Sequence, residues 1–350
     1  MQVIDWDLAV TTGTRLVRPG PQVSREEARQ AVTELRTLSR EAEGHVREFT
    51  KIHTDTAPQP ATVVDRPGWI KANVEGFRVV LEPLTQRMGG GANPPPAIVT
   101  AVGSRITGVE VGAVLAFLAS RVLGQYELFL PPDPTGQEPT GRLTLVAPNI
   151  VHAEREMGVD PHDFRLWVCL HEETHRVQFT AVPWMTDHLR SEMANIIGAV
   201  PTDPAALVAD AVRRIGDLVT GKSDGSLLDL FSSPEQKAVI ERVTGVMSLL
   251  EGHADVVMDG VGPEIIPSVD DIRRKFTQRR KGVGGLDRLL RRLLGLDQKM
   301  AQYRDGAVFV RAAVDKVGMD GFNAVWAGPA NLPTKSEILD PALWIARVHG

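Results

Sequence analysis

The sequence predicts a mostly α-helical fold with a small β component, and three observations carry that prediction. From Asp160 onward, nearly every segment between Gly or Pro breaks repeats its apolar residues at helical spacing. Only two short runs, Tyr126 to Leu130 and Arg142 to Val146, have the composition of strands. Helix starts are also explicit: Ser24 is followed three residues later by Glu27, and Asp160 stands directly before Pro161.

Taken in order, the Ser24-x-x-Glu27 capping box opens an amphipathic pattern that runs to about Phe49 and stops before Pro58 and Pro60. The first element is therefore expected to be a long surface helix. After Pro67 a second apolar-periodic run extends from Trp69 to about Met88. Gly89-Gly90-Gly91-Ala92-Asn93-Pro94-Pro95-Pro96 then excludes regular structure and marks the best internal boundary. This divides the chain into an N-terminal helical region, 1–96, and a second domain, 97–350, which can also join into one continuous domain. A core helix is expected around 108–124, followed by the two strands as a hairpin or small sheet across the Pro131 to Gly141 loop. Asp160-Pro161 starts a long helix that Pro183 should end. Helices at about 185–198, 204–220, 234–259, 269–280, 286–294 and 297–316, with a terminal piece, complete the chain.

Bulk composition narrows the class. With 350 residues the chain can bury a large core without disulfides, and its single cysteine, Cys169, has no intrachain partner. Cys169 reads as a small apolar residue, which suits a reducing, cytoplasmic setting. Met1-Gln2-Val3-Ile4-Asp5-Trp6-Asp7 lacks the basic start and apolar block of an export signal. Val111 to Leu123, the most apolar stretch, is too short to span a membrane. A net charge of −5 offers nucleic acid no general attraction. Charge is uneven, however: Arg273, Arg274, Lys275, Arg279, Arg280 and Lys281, with Arg288, Arg291 and Arg292, crowd the 273–292 segment. That segment is a solvated helix face or a patch for an anionic partner, and no stacking aromatics are interleaved to suit single strands.

The most informative residues are His171-Glu172-Glu173-Thr174-His175, an H-E-x-x-H pentapeptide inside a predicted helix. Residues four apart project from one face, so the two imidazoles can grip one Zn2+ ion while Glu172 stands beside it as a general base. A catalytic zinc needs a third protein ligand and an open position for water. Leu249-Leu250-Glu251-Gly252-His253-Ala254-Asp255 supplies the preferred one: Glu251 would bind the metal, and Asp255, one turn on, would accept a hydrogen bond from a zinc histidine. His253 and Glu192 are the alternatives, His253 being disfavoured because two residues along a helix it points away from Glu251. Tyr303 or His253 would stabilise an oxyanion. His45, His53, His152, His162, His188 and His349 lack partners at ligand spacing and read as ordinary residues.

His171-Glu172-x-x-His175 followed by Glu251-x-x-x-Asp255 resembles the gluzincin branch of the zincin metallopeptidases. The wider chain resembles an actinobacterial zincin-like family associated with deazaflavin-coenzyme biosynthesis. That likeness rests on Ile4-Asp5-Trp6, Val64-Asp65-Arg66 with Trp69, Leu123-Gly124-Gln125-Tyr126, Glu251-Gly252-His253-Ala254-Asp255, Leu296-Asp297-x-Lys299 and Gln302-Tyr303, and so spans most of the chain. It implies a zincin-like fold with extra helices, a zincin-like metal-binding domain over 97–350, and a zinc-dependent hydrolase acting on a peptide or other amide. The gap between His175 and Glu251 is longer than in compact gluzincins, so helices must intervene.

Two rival readings remain. Gly216-Asp217-Leu218-Val219-Thr220-Gly221-Lys222-Ser223 spells the G-x-x-x-x-G-K-S of a phosphate loop, but it should then follow a strand and open a helix, whereas the pattern before it is helical. Gly221 reads better as a helix C-cap with Lys222 at the negative end of the dipole. The other rival is a non-catalytic helical interaction protein with a structural or vestigial zinc site, against which Glu172 argues because a structural site needs no base.

Overall fold

The computed structural model describes residues 4–54, 59–89, 97–136, 139–198, 234–281 and 296–350. They build two compact units, Met1–Thr186 with Ala254–Thr277 and Asp187–His253 with Gln278–Gly350. The fold is mostly helical with one three-stranded sheet.

In the first unit, Asp5 caps α1 (Trp6–Leu16) by accepting from the Leu8 N–H at 2.9 Å. This helix packs tightly on α4 (Ala97–Ala119), while α3 (Arg66–Gly89) covers both. Gly108 and Gly112 of α4 allow the approach: a Cβ on Gly112 would lie 2.6 Å from the Ala9 carbonyl oxygen. Ile4, Trp6, Trp69, Ile70, Val74 and Leu115 close the core of this layer. The sequence reading missed α1, because Thr-Thr-Gly-Thr has weak helix propensity and the helix is held by this packing.

The long helix α2 (Arg25–Thr50) begins with the full capping box, Glu27 N–H to Ser24 Oγ at 3.1 Å and Ser24 N–H to Glu27 at 2.6 Å. It is the second helix rather than the first, and its buried stripe of Ala31, Leu35, Leu38, Ala42 and Val46 packs along α6 (Pro161–Ala181). Asp160 caps α6 through the Asp163 N–H at 3.0 Å, Pro161 occupies its first turn, and buried residues line nearly all its faces. The helix ends at Ala181, and Pro183 opens α7 (Pro183–Gly198).

The sheet runs in the order β1 (Thr62–Val64), β3 (Arg142–Val146), β2 (Gly124–Glu127). β1 is parallel to β3 and β2 antiparallel, with Gly124 opposite Leu145. The hairpin forms with β3 as expected, but β2 is Gly124–Glu127 rather than Tyr126 to Leu130; β1, only three residues long, is too short for an alternation to show. A further unanticipated helix, α5 (Ala147–Met157), leaves β3 directly, its start disguised by a turn-like Pro148-Asn149. The core helix expected at 108–124 runs from Ala97 instead.

Helix α8 (Pro234–Gly260) contributes to both units, its residues from Ala254 onward belonging to the first with most of α9 (Val269–Lys281). In the second unit α8 and α10 (Leu296–Phe322) touch backbone to backbone where a Cβ on Gly252 would collide with Gly306. Gly318, at φ 73°, breaks α10. Short helices α11 (Lys335–Leu339) and α12 (Pro341–His349) follow, with the Trp344 ring edge-on to Phe309 at 5.5 Å. The expected helices at 204–220 and 286–294, and the phosphate-loop lookalike Gly216–Ser223, lie outside the described residues.

Candidate metal centre

Helix α6 puts His171 and His175 one turn apart, and their Nε2 atoms face each other at 3.3 Å with the rings nearly perpendicular, at 87°. His175 Nδ1 meets Gln178 Oε1 at 3.0 Å, and His171 Nδ1 meets Met258 Sδ at 3.3 Å. With Gln178 Oε1 and Met258 Sδ as acceptors, the tautomer protonated at Nδ1 suits both rings and leaves each Nε2 lone pair available to a metal. Glu251 completes the arrangement: one ligand atom each from His171, His175 and Glu251 lies within 4.8 Å of the others. On the continuous α8 it stands seven residues before Met258, on the same helix face.

Two Nε2 atoms this close, beside a carboxylate, are spaced to share one cation. The donor set is two imidazoles and one carboxylate, which suits zinc and leaves one position open. Two nitrogens bound tetrahedrally at about 2.0–2.1 Å would stand about 3.3–3.4 Å apart, which the observed separation matches.

Glu172, buried, turns to the sheet. A Cβ on Gly124, first residue of β2, an outer strand, would lie 2.7 Å from Glu172 Cγ and 2.9 Å from its Oε1. Only glycine lets the strand backbone approach the carboxylate this closely.

The opposite face of α6 is anchored by charge. Glu173 accepts a short hydrogen bond from Ser39 Oγ, and Arg176 pairs with Glu173 at 2.6 Å and Glu43 at 2.7 Å. Arg47 reaches the other Glu43 oxygen at 2.6 Å. Burial pushes the Glu173 carboxyl up to about 7, against the pull of Arg176 and the Ser39 hydroxyl.

Asp255 Oδ1 accepts from Arg273 Nη1 at 3.1 Å, and Arg273 also pairs with Asp259. Arg274 and Lys275 pair with Asp271, and Lys275 donates to the Gly158 carbonyl at 2.9 Å. Arg273 thus ties α9 to α8 and Lys275 ties it to the Gly158 carbonyl, whereas Arg274 pairs within α9 and is exposed; the side chains from Arg280 to Arg292 lie outside the described residues. His253 is wholly buried, its ring 5.4 Å from Phe322 and 5.3 Å from Trp326, which is a core position rather than a donor to substrate. Glu192 makes a two-point pair with Arg242 at 3.0 and 2.8 Å and is not part of the group that His171, His175 and Glu251 form. Tyr303 stands in α10, but its side chain lies outside the described residues.

Sequence reasoning missed Gln178, Met258 and Gly124. Gln178 was within reach, being one helical turn from His175. The other two are tertiary contacts with no local signature.

The family model of zincin-like metallopeptidases matches residues 4–345. A solved structure from Chloroflexus aurantiacus, described as a candidate hydrolase with a novel fold, is similar with a TM-score of 0.69 and 30% sequence identity, covering 98% of each chain. No curated protein matches.

Proposed function

Because the chain belongs to the zincin-like metallopeptidase family, we propose that it is a zinc-dependent hydrolase that cleaves an amide bond, most simply that of a peptide. The observation that carries this is the 3.3 Å approach of two inward-facing Nε2 atoms beside a carboxylate. His171, His175 and Glu251 would hold the zinc, which when bound supplies Lewis acidity toward a water and a substrate carbonyl.

Glu172 is the general base. It takes the proton of the attacking water at a carboxylate oxygen and passes it to the departing amine nitrogen as the tetrahedral intermediate collapses. Its burial keeps bulk water from competing, and the Gly124 backbone limits where its carboxylate can lie. β2 is one of the two outer strands of the sheet and begins against Glu172, so an extended peptide laid along it brings its amides to the base. Among the described residues no helix is long and apolar enough to cross a membrane.

The test is metal analysis of protein purified without an affinity tag, together with hydrolysis of a panel of fluorogenic peptides. Near-stoichiometric zinc, lost in His171→Ala and kept in an inactive Glu172→Gln, is the expected result. Zinc retained in both His171→Ala and Glu251→Ala would sink the ligand assignment, whereas bound zinc with no hydrolysis across the panel would favour the structural-zinc alternative.

A further inference from the structure

The two imidazoles are held by unequal partners. Gln178 offers His175 an amide oxygen, a strong acceptor, at 3.0 Å. Met258 offers His171 a thioether sulfur, a weak one, at 3.3 Å. We propose that Met258 is a positioning residue for His171: its sulfur takes the Nδ1–H, fixes the ring with Nε2 inward, and leaves His171 the poorer electron donor of the pair. This rests on the zinc reading above.

Three features support the assignment. Met258 is almost wholly buried, at 3% exposure, so water does not compete for the Nδ1 proton. It lies on the same face of α8 as Glu251, two turns along, so one helix carries both a metal ligand and the partner of another ligand. The sulfur is also placed against the one nitrogen of His171 that does not face His175. Partners of this kind set the tautomer and raise the basicity of a ligating imidazole, and losing one costs about 10–100-fold in metal affinity. A thioether raises basicity least, which puts the expected loss at the low end and leaves more of the positive charge on the metal for polarising water.

Zinc affinity of the full-length chain, measured by competition with a chelator, tests this without recourse to activity. Met258→Leu keeps volume and apolar character but removes the acceptor; Met258→Gln supplies an amide oxygen at similar length. The Leu variant should bind zinc about tenfold more weakly while its metal-free thermal unfolding stays unchanged, and the Gln variant should bind as tightly as the wild type or tighter. Nitrogen-15 spectra of the imidazoles should report a proton on His171 Nδ1 in wild type and Gln variant, and a loss of that fixed tautomer in the Leu variant. Equal zinc affinity in wild type and Leu variant, or equal weakening in both variants, overturns the proposal and leaves Met258 a packing residue. A wild type that takes up no zinc overturns the metal reading itself, a distinct outcome.

Discussion

The two faces of α6 solve opposite problems with neighbouring residues. In His171-Glu172-Glu173-Thr174-His175, the first, second and fifth residues face the metal centre and the strand β2, and the third faces α2. Behind, Glu173 and Arg176 lock into a buried network of hydrogen bonds and ion pairs with Ser39, Glu43 and Arg47. In front, two imidazole Nε2 atoms stand 3.3 Å apart beside a carboxylate. The rear face is closed by the protein's own groups, whereas the front gathers three side chains of a kind that hold a metal. The rear network fixes the rotation of α6 and with it the placing of the two imidazoles.

The largest effects should come from the front face and should spare the fold. His175→Ala should abolish stoichiometric zinc, read by elemental analysis, with the far-ultraviolet dichroism unchanged. Glu172→Gln should keep zinc while lowering peptide hydrolysis by about 10²–10⁴-fold. Next in size is the rear face, where the readout reverses. Arg176→Ala takes the ion-pair partner from buried Glu173 and leaves Glu43 to Arg47 alone, and should cost about 3–5 kcal/mol in denaturant unfolding. An Arg176→Ala protein as stable as wild type would erase the contrast between the faces. Smaller again is Gly124→Ala, whose added methyl should push Glu172 aside and lower the hydrolysis rate by about tenfold to a hundredfold at unchanged zinc content. If zinc were lost instead, Gly124 would belong to the scaffold and not to the base.

These two faces were unequally legible in the sequence. The front was readable because its chemistry needs rare residue types at one fixed spacing, and Glu251 stood out as a carboxylate among Val246, Met247, Leu249, Leu250, Val256, Val257 and Met258. Asp160 with Pro161, and Ser24 with Glu27, announced the helices because capping is local. The rear was invisible: Glu173 and Arg176 look like ordinary helix-surface charges until Glu43 and Ser39 arrive from more than a hundred residues away. For the same reason α1 escaped notice, since its weak intrinsic propensity is offset only by close contact with Gly108 and Gly112. His253 misled in the other direction, a polar residue in a promising motif that the fold encloses between aromatic rings.

The smallest effect separates the faces by pH. Glu173 in the folded chain holds its proton up to about 7, against an ordinary value of 4.5, because burial outweighs the pull of Arg176. Between these values the unfolded chain releases a proton that the folded chain keeps, so the unfolded state is favoured progressively as pH rises. The contribution is fully present below about 4.5, is lost as pH rises to about 7, and levels off beyond. Glu173→Gln, which stays neutral throughout, should flatten this part of the stability profile measured by denaturant unfolding of the metal-free protein. It should leave the fall below pH 4 unchanged, because that limb reflects carboxylates such as Glu337, which burial pushes up but Arg347 and Thr334 hold below the ordinary value. A profile in which Glu173→Gln tracks wild type between 4.5 and 7 would mean that Arg176 keeps Glu173 ionised, and that the rear face is a full ion-pair network rather than one carrying a retained proton.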